Sequence, residues 1–337
     1  MIAVPDNVKW INHFVCSRLI NTSGSGKTRV LIEGLRENWG FYLTFSSLDG
    51  TGSNDMGFLM ELYTALGFTQ TLPSSTTQHS PKLNRNRQMV CDLSWQVLIA
   101  RLLVFRMFLE EARKLRPEGS LDNYRDHWVY FQLQPSEVTG NDIFGHMTKI
   151  LSDARNENLE LAAETLARDI RSEYLSMEDF YIVLDAAQLA AGSCTGASRS
   201  YVDPKQSPPL LEIIMDSFDW LRIGHTIVSG TGLSLNIVSQ AMGSCVAKQG
   251  VKTLTVTEIG AFDSELAQRT YILQYLPSFY VDTPSGEALL DRAWHWLRGR
   301  YVFMYLCASL ANKTHLKASF HCEFHSNPTE QFLTLTT

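Results

Sequence analysis

Asn21-Thr22-Ser23-Gly24-Ser25-Gly26-Lys27-Thr28 is the stretch on which the reading of the chain turns. It has the spacing of a phosphate-binding P-loop, with asparagine where the first glycine is expected. Before it, Phe14 to Ile20 reads as a buried strand. After it, Arg29 to Asn38 reads as a helix that turns Val30, Leu31 and Leu35 toward a core. Strand, loop and helix in that order are the context the motif requires. In this reading the backbone N–H groups from Gly24 through Ser25, Gly26 and Lys27 to Thr28 point at the phosphates. Lys27 reaches the β- and γ-phosphates, and the Thr28 hydroxyl binds Mg²⁺. Asn21 is acceptable because asparagine, after glycine, best tolerates positive φ. The alternative is a Ser/Gly-rich turn that happens to end in Lys-Thr, and the flanking elements argue against it.

Such a loop needs an acid that holds the magnesium from the far side. Phe180-Tyr181-Ile182-Val183-Leu184-Asp185 is a continuous apolar run ending in an acid, as expected of a central parallel strand buried on both faces. Asp185 is therefore the candidate Walker B acid, although an acid at a strand end also serves as a turn or helix cap. Many NTPases of this kind carry glutamate next, where it polarises the attacking water, but this chain has Ala186. Loss of a positioned general base costs about 10²–10⁴-fold in rate, so binding is better supported than turnover. A third strand, Thr226 to Ser229, runs into Gly230-Thr231-Gly232-Leu233-Ser234. Ser229 and Thr231 are candidates to sit between the γ-phosphate and water. A glycine-rich turn with Ser234 capping the next helix explains the same residues equally well.

Composition fits a globular protein rather than a membrane or nucleic-acid specialist. The chain has 337 residues, 45% hydrophobic and 19% charged, with a formal net charge of −6. That length buries one large core or two smaller ones, and the acidic balance argues against nucleic acid as a ligand of this chain alone. No apolar run reaches the ~18 residues of a membrane span; Val97 to Leu109 comes nearest and is broken by Arg101 and Arg106. Met1 to Asp6 has neither the basic flank nor the apolar segment of a secretory signal. Cys16, Cys91, Cys194, Cys245, Cys307 and Cys322 form no CxxC pair, which suits reduced thiols in an intracellular protein.

Elsewhere the pattern alternates. Trp39 to Phe45 predicts a strand, and a polar turn from Leu48 to Gly57 leads to a short helix ending near Gly67. Thr69 to Asn86 predicts a long polar, mobile loop carrying a solvated basic cluster of Lys82, Arg85 and Arg87. Val90 to Leu115 predicts a long helix that is apolar almost all round. Trp128 to Leu133 predicts a further strand, followed by helices over Asp142 to Arg155 and Leu159 to Tyr174. An irregular loop is expected over Ala191 to Pro209, a helix over Leu210 to Leu221, and a last strand over Lys252 to Val256. Strands separated by helices imply an α/β fold with a parallel sheet flanked by helices. The expected division is a P-loop core over residues 1–260 and a helical, lid-like region with a tail over 261–337, its helices near Glu265 to Tyr275 and Gly286 to Leu310.

Taken together, GSGKTRVLIEGLRENWGFYLTF (Gly24 to Phe45), GTGSNDM (Gly50 to Met56), WQVLIARLLVFRMFLE (Trp95 to Glu110), HWVYFQLQP (His127 to Pro135), IVLDAAQ (Ile182 to Gln188) and WLRGRY (Trp296 to Tyr301) resemble the P-loop NTPase module of Crinkler-type proteins of filamentous fungi. The WGFY, ARLL and LRGRY segments are the more specific signals. The resemblance implies a STAND or AAA-like ATPase whose nucleotide-driven switch controls an attached effector domain, often nuclease-like. It also implies secretion into a host cell and its nucleus as a possible destination. Lys27, Thr28 and Asp185 match the family's site, and Arg298 or Arg300 matches an arginine that senses or stabilises the γ-phosphate. The chain departs from the pattern at Asn21 and Ala186, has no targeting region before the loop, and ends soon after Tyr301. The first two departures lead to the expectation of slow or absent hydrolysis, the last two bear on the effector role, and a degenerate or truncated copy is one reading of the set.

Three functional classes follow. The first is a slow ATPase switch binding Mg·ATP at Lys27, Thr28 and Asp185. The second is a non-hydrolysing, nucleotide-dependent interaction module, with Ala186 as its mark. The third, a small-molecule kinase, lacks an arginine-rich lid. Asn312-Lys313-Thr314-His315 lacks the acid of the guanine-selecting NKxD pattern, which favours adenine. Solvated arginines are the plainer reading of Arg298 and Arg300. Aromatic residues crowd Trp294 to Tyr305, as in an ordinary lid core or a surface for a protein partner or second copy. The histidines at 315, 321 and 325 with Cys322 fit an incidental terminus better than a zinc site.

Overall fold

The computed structural model describes residues 16–20, 25–46, 51–61, 67–70, 72, 76–153, 158–176, 178, 180–193, 210–219, 224–231, 253–257, 264–273, 276 and 282–297. The chain divides into two compact units, Met1–Ala261 and Phe262–Thr337. In the first unit the strands are β1 (Cys16–Ile20), β2 (Gly40–Thr44), β3 (Phe180–Asp185), β4 (Gly224–Gly230) and β5 (Thr253–Val256). Among the described residues they make one five-stranded sheet in the order β2-β3-β4-β1-β5, and every neighbouring pair is parallel. This is the expected α/β architecture.

Period-two alternation assigns the faces of the sheet. On one face, Phe41, Leu43, Phe180, Ile182, Leu184 and Val228 join the large core. That core also holds residues of α3 (Thr76–Leu115), α6 (Ile143–Asp153), α7 (Leu159–Tyr174) and α9 (Leu210–Asp219). On the other face, Leu19, Tyr42, Tyr181, Val183 and Ile227 pack with Leu31 and Leu35 of α1 (Lys27–Glu37) and Val129 of α4 (Arg125–Leu133). The short helices α2 (Gly57–Glu61), α5 (Pro135–Thr139) and α8 (Gln188–Gly192) complete the described part of this unit. A Cβ at Gly40 would lie 2.3 Å from the Tyr181 carbonyl oxygen, so β2 approaches β3 only with glycine there.

Two expectations are corrected. Thr69 to Asn86 is not one long loop, because α3 begins at Thr76 and runs for 40 residues with Pro81 inside it. Residues 81, 82, 84, 85, 87 and 88 of its polar N-terminal part are exposed, but Lys, Arg and Gln are good helix formers and solvation alone does not imply irregular backbone. Asn86 is held by bonds to the Thr69 N–H and carbonyl, both 2.9 Å, and Arg87 reaches Asp216 of α9 at 2.9 Å.

Trp128 to Leu133 is not a strand but the body of α4, with Trp128, Val129 and Gln132 buried on one side. A short apolar run carries no clear period, and here the free edge of β2 decides the outcome. The Trp128 Nε1–H and Gln132 Nε2–H donate to the Gly40 carbonyl at 2.8 and 3.1 Å, and the Tyr42 N–H donates to Gln132 Oε1 at 2.9 Å. The helix thus covers with side chains an edge that another strand would otherwise extend.

The helix Pro81–Leu115 is long and apolar enough to cross a membrane, yet 72% of its apolar window is buried inside the protein. It is the central core helix: Phe105 packs against Trp39, Phe41, Trp128 and Phe180 with ring centroids 4.6–5.7 Å apart. Its Arg101 is fully buried, paired with fully buried Asp55 at 2.6 Å and lying 4.0 Å over the Phe144 ring.

In the second unit, α10 (Glu265–Leu273) and α11 (Pro284–Leu297) pack through Tyr271, Ile272, Leu290 and Ala293. Gln268 Nε2 donates to the Ala293 carbonyl at 2.9 Å, and Arg269 bridges Glu265, Glu287 and Asp291.

Candidate functional site

The sheet registers bring the candidate residues to one level. Thr44 pairs with Asp185, Leu184 with Val228, and Leu19 with Ser229. Asp185 and Ser229 therefore stand side by side at the C-terminal ends of β3 and β4, and β4 lies between β3 and β1. Carboxyl ends of parallel strands are where α/β sheets bind ligands. Alternation turns Tyr42, Thr44, Asp185 and Ser229 toward the face covered by α1.

Gly26 precedes α1 with φ 86, a left-handed conformation that glycine adopts without strain, and no side chain caps the helix. Lys27, Leu31 and Leu35 form the buried stripe of the helix, so the lysine lies on the inner side. Lys27 is only 7% exposed. Burial pushes its ammonium below the ordinary lysine value, and the Asp185 carboxylate partly offsets that effect.

Thr28 and Asp185 meet directly. The Thr28 hydroxyl donates to Asp185 Oδ2 at 2.8 Å across 157 residues of sequence. The same Oδ2 accepts from the Tyr42 hydroxyl at 2.9 Å, and Oδ1 accepts from the Ala186 N–H at 2.9 Å. Hydroxyl and carboxylate oxygens form a hard donor set suited to Mg²⁺ rather than to a thiolate- or imidazole-seeking ion. Two hydroxyls beside them, Ser25 Oγ and Ser229 Oγ, are buried without a hydrogen-bond partner, and Ser229 is 0% exposed. An unpaired buried polar group costs about 1–3 kcal/mol, so both would gain from a ligand that brings polar atoms of its own. The residues present fit a nucleotide phosphate with its magnesium.

The strand-end turn departs from ideal geometry. Ala186 has φ 55, left-handed for a non-glycine residue. Gln188, the nearest polar side chain after Asp185 in sequence, is engaged: its Oε1 accepts from the Thr231 N–H at 3.0 Å. Ala187 N–H donates to the Ser229 carbonyl at 2.9 Å, which ties β3 to β4 at the site. Ser25, Gly26, Lys27, Thr28, Asp185 and Ser229 are brought to the ends of these strands. Gly24, Asn21, Asp49, Arg298, Arg300 and the histidine-bearing tail lie outside the described residues.

Sequence reasoning missed Tyr42. Its signal was present, since Tyr42 and Thr44 share a strand face and Thr44 ends the strand, but an aromatic residue inside an apolar run reads first as core. Compared with protein-family models and with curated proteins, the chain matches none.

Proposed function

We propose that the chain is an intracellular ATP-binding P-loop NTPase of the STAND or AAA-like kind that the Crinkler-type resemblance implies. It acts as a nucleotide-dependent switch on another chain or a second copy of itself. The observation that carries this reading is the 2.8 Å bond from Thr28 at the start of α1 to Asp185 at the end of β3. A Ser/Gly turn ending in Lys-Thr by chance has no reason to meet, across 157 residues, the one acid expected to share its magnesium.

Mg²⁺, when bound, neutralises charge on the phosphate oxygens, and Thr28 and Asp185 are the residues that would hold it. Lys27 supplies a cation whose burial strengthens its attraction to phosphate. The N-terminus of α1 and Ser25 contribute donors for phosphate oxygens. Ser229 stands at the adjacent strand end, placed to orient a terminal phosphate or a water. Ala186 offers only a methyl group where a base is expected, and Gln188 is occupied, so hydrolysis is slow or absent. Retention of bound nucleotide then becomes the switch, and the non-hydrolysing module is the limiting form of the same reading. The missing guanine-selecting pattern favours adenine.

Thermal unfolding with ATP and GTP tests the assignment. Saturation at about 100 times the dissociation constant stabilises the folded state by about 2.7 kcal/mol. For a domain of this size that is a rise of roughly 4–5 °C in melting temperature. Lys27→Ala should abolish the rise. A wild type that melts at the same temperature with and without millimolar Mg·ATP would remove the assignment.

A further inference from the structure

Resting on that reading, we propose that Tyr42 is a positioning residue of the magnesium site, holding Asp185 in the orientation that serves the cation. Asp185 Oδ2 receives two neutral hydroxyl donors from two different elements, Thr28 on α1 and Tyr42 on β2. Oδ1 is taken by the adjacent Ala186 N–H. The Thr28 bond lasts only while that hydroxyl points at the acid, and Thr28 is itself the residue expected to turn its oxygen to the metal. The Tyr42 hydroxyl is not an expected ligand of the cation, and its bond holds the carboxylate from β2. A phenol that has donated its single hydrogen also keeps acceptor capacity, which suits the hydrated environment of magnesium.

The ring is braced independently of its hydroxyl. Tyr42 is buried in the cluster of Leu31, Leu35 and Val183. On its edge lies Gly52, where a Cβ would stand 3.4 Å from Tyr42 Cε1. Its main-chain N–H is held by Gln132. Its position is therefore set by packing, and the hydroxyl bonds Asp185. Groups that orient a metal's ligands typically change metal affinity by about 10–100-fold when removed.

The test is a fluorescent ATP analogue bound to the full chain, titrated with MgCl₂ and compared with binding in EDTA. Tyr42→Phe keeps the ring and removes only the hydroxyl. The expected result is a half-saturating magnesium concentration raised about 10–100-fold, with unchanged affinity in EDTA and a melting temperature close to wild type. Tyr42→Leu serves as the packing control, losing thermal stability as well. A magnesium midpoint equal to wild type in Tyr42→Phe overturns the proposal, as does a shift that appears only in Tyr42→Leu and follows its stability. Failure of the wild type to bind the analogue under either condition would instead strike the nucleotide reading itself.

Discussion

Ala186 carries two consequences in one residue. Its left-handed φ of 55 strains any L-residue, by about 1–2 kcal/mol. Its methyl group puts no base beside Asp185. Ala186→Glu keeps the backbone strain and restores an acid at the end of β3. The isolated wild type is expected to release little phosphate from Mg·ATP, and the Glu variant to gain about 10²-fold. A phosphate-release assay decides it: fast turnover by the wild type, unchanged in the variant, would mean that another group positions the water. Gln188 is already committed to the Thr231 backbone, which makes it a poor substitute.

Among the elements, α3 and α4 show how the sheet is held to its helical cover. Gln132 of α4 accepts from the Tyr42 N–H and lies 3.5 Å from Arg101 Nη1, while Arg101 Nε is bonded to Asp55 at 2.6 Å. Asp55 in turn caps Met56 N–H, and its own N–H reaches Ser53, whose hydroxyl bonds Asp142 ahead of α6. The glycine-rich turn after β2 is thereby tied to α3 and α6 through buried polar groups. Removing one partner of a buried ion pair leaves an uncompensated charge and costs about 3–5 kcal/mol. Asp55→Ala should lower stability by that amount in urea unfolding, whereas replacing Asp55 and Arg101 together with apolar residues should recover most of it. A single variant as stable as wild type would show that Arg101 finds another partner.

At the scale of the whole molecule, Lys27 sets folding stability against ligand binding. Its pKa is lowered in the folded state from the ordinary 10.5, first by burial, so between the lowered value and 10.5 the unfolded chain binds the proton more tightly. Below that window the cost of holding a buried ammonium is fully present, and stability rises with pH through the window as the cost is released. Ligand-free Lys27→Met should therefore unfold at higher urea than wild type near neutral pH, with the difference narrowing toward pH 10 and no stabilisation by ATP at any pH. A constant difference across that range would place the effect in packing of the methionine side chain rather than in the lysine charge.

Much of this was written locally. The runs that became β2 and β3 announce themselves because a strand buried on both faces needs continuous apolar residues, and α1 and α7 because their apolar positions repeat at helical spacing. Gly26, Lys27 and Asp185 are legible as candidates because each depends on a residue type at a strand end or helix start. Local pattern cannot say what an element will lie beside. The residues of α4 had the composition of a strand, and only the edge of β2, whose Gly40 carbonyl and Tyr42 N–H bond the side chains of Trp128 and Gln132, explains the helix that covers it. The polar start of α3 looked like a loop until its bonds to Thr69 and Asp216 were on view. The order β2-β3-β4-β1-β5, the meeting of Thr28 with Asp185, and the place of Tyr42 beside them belong to the tertiary structure alone. Each joins residues distant in sequence, and such contacts are chosen by packing and register across the sheet, which no single segment encodes.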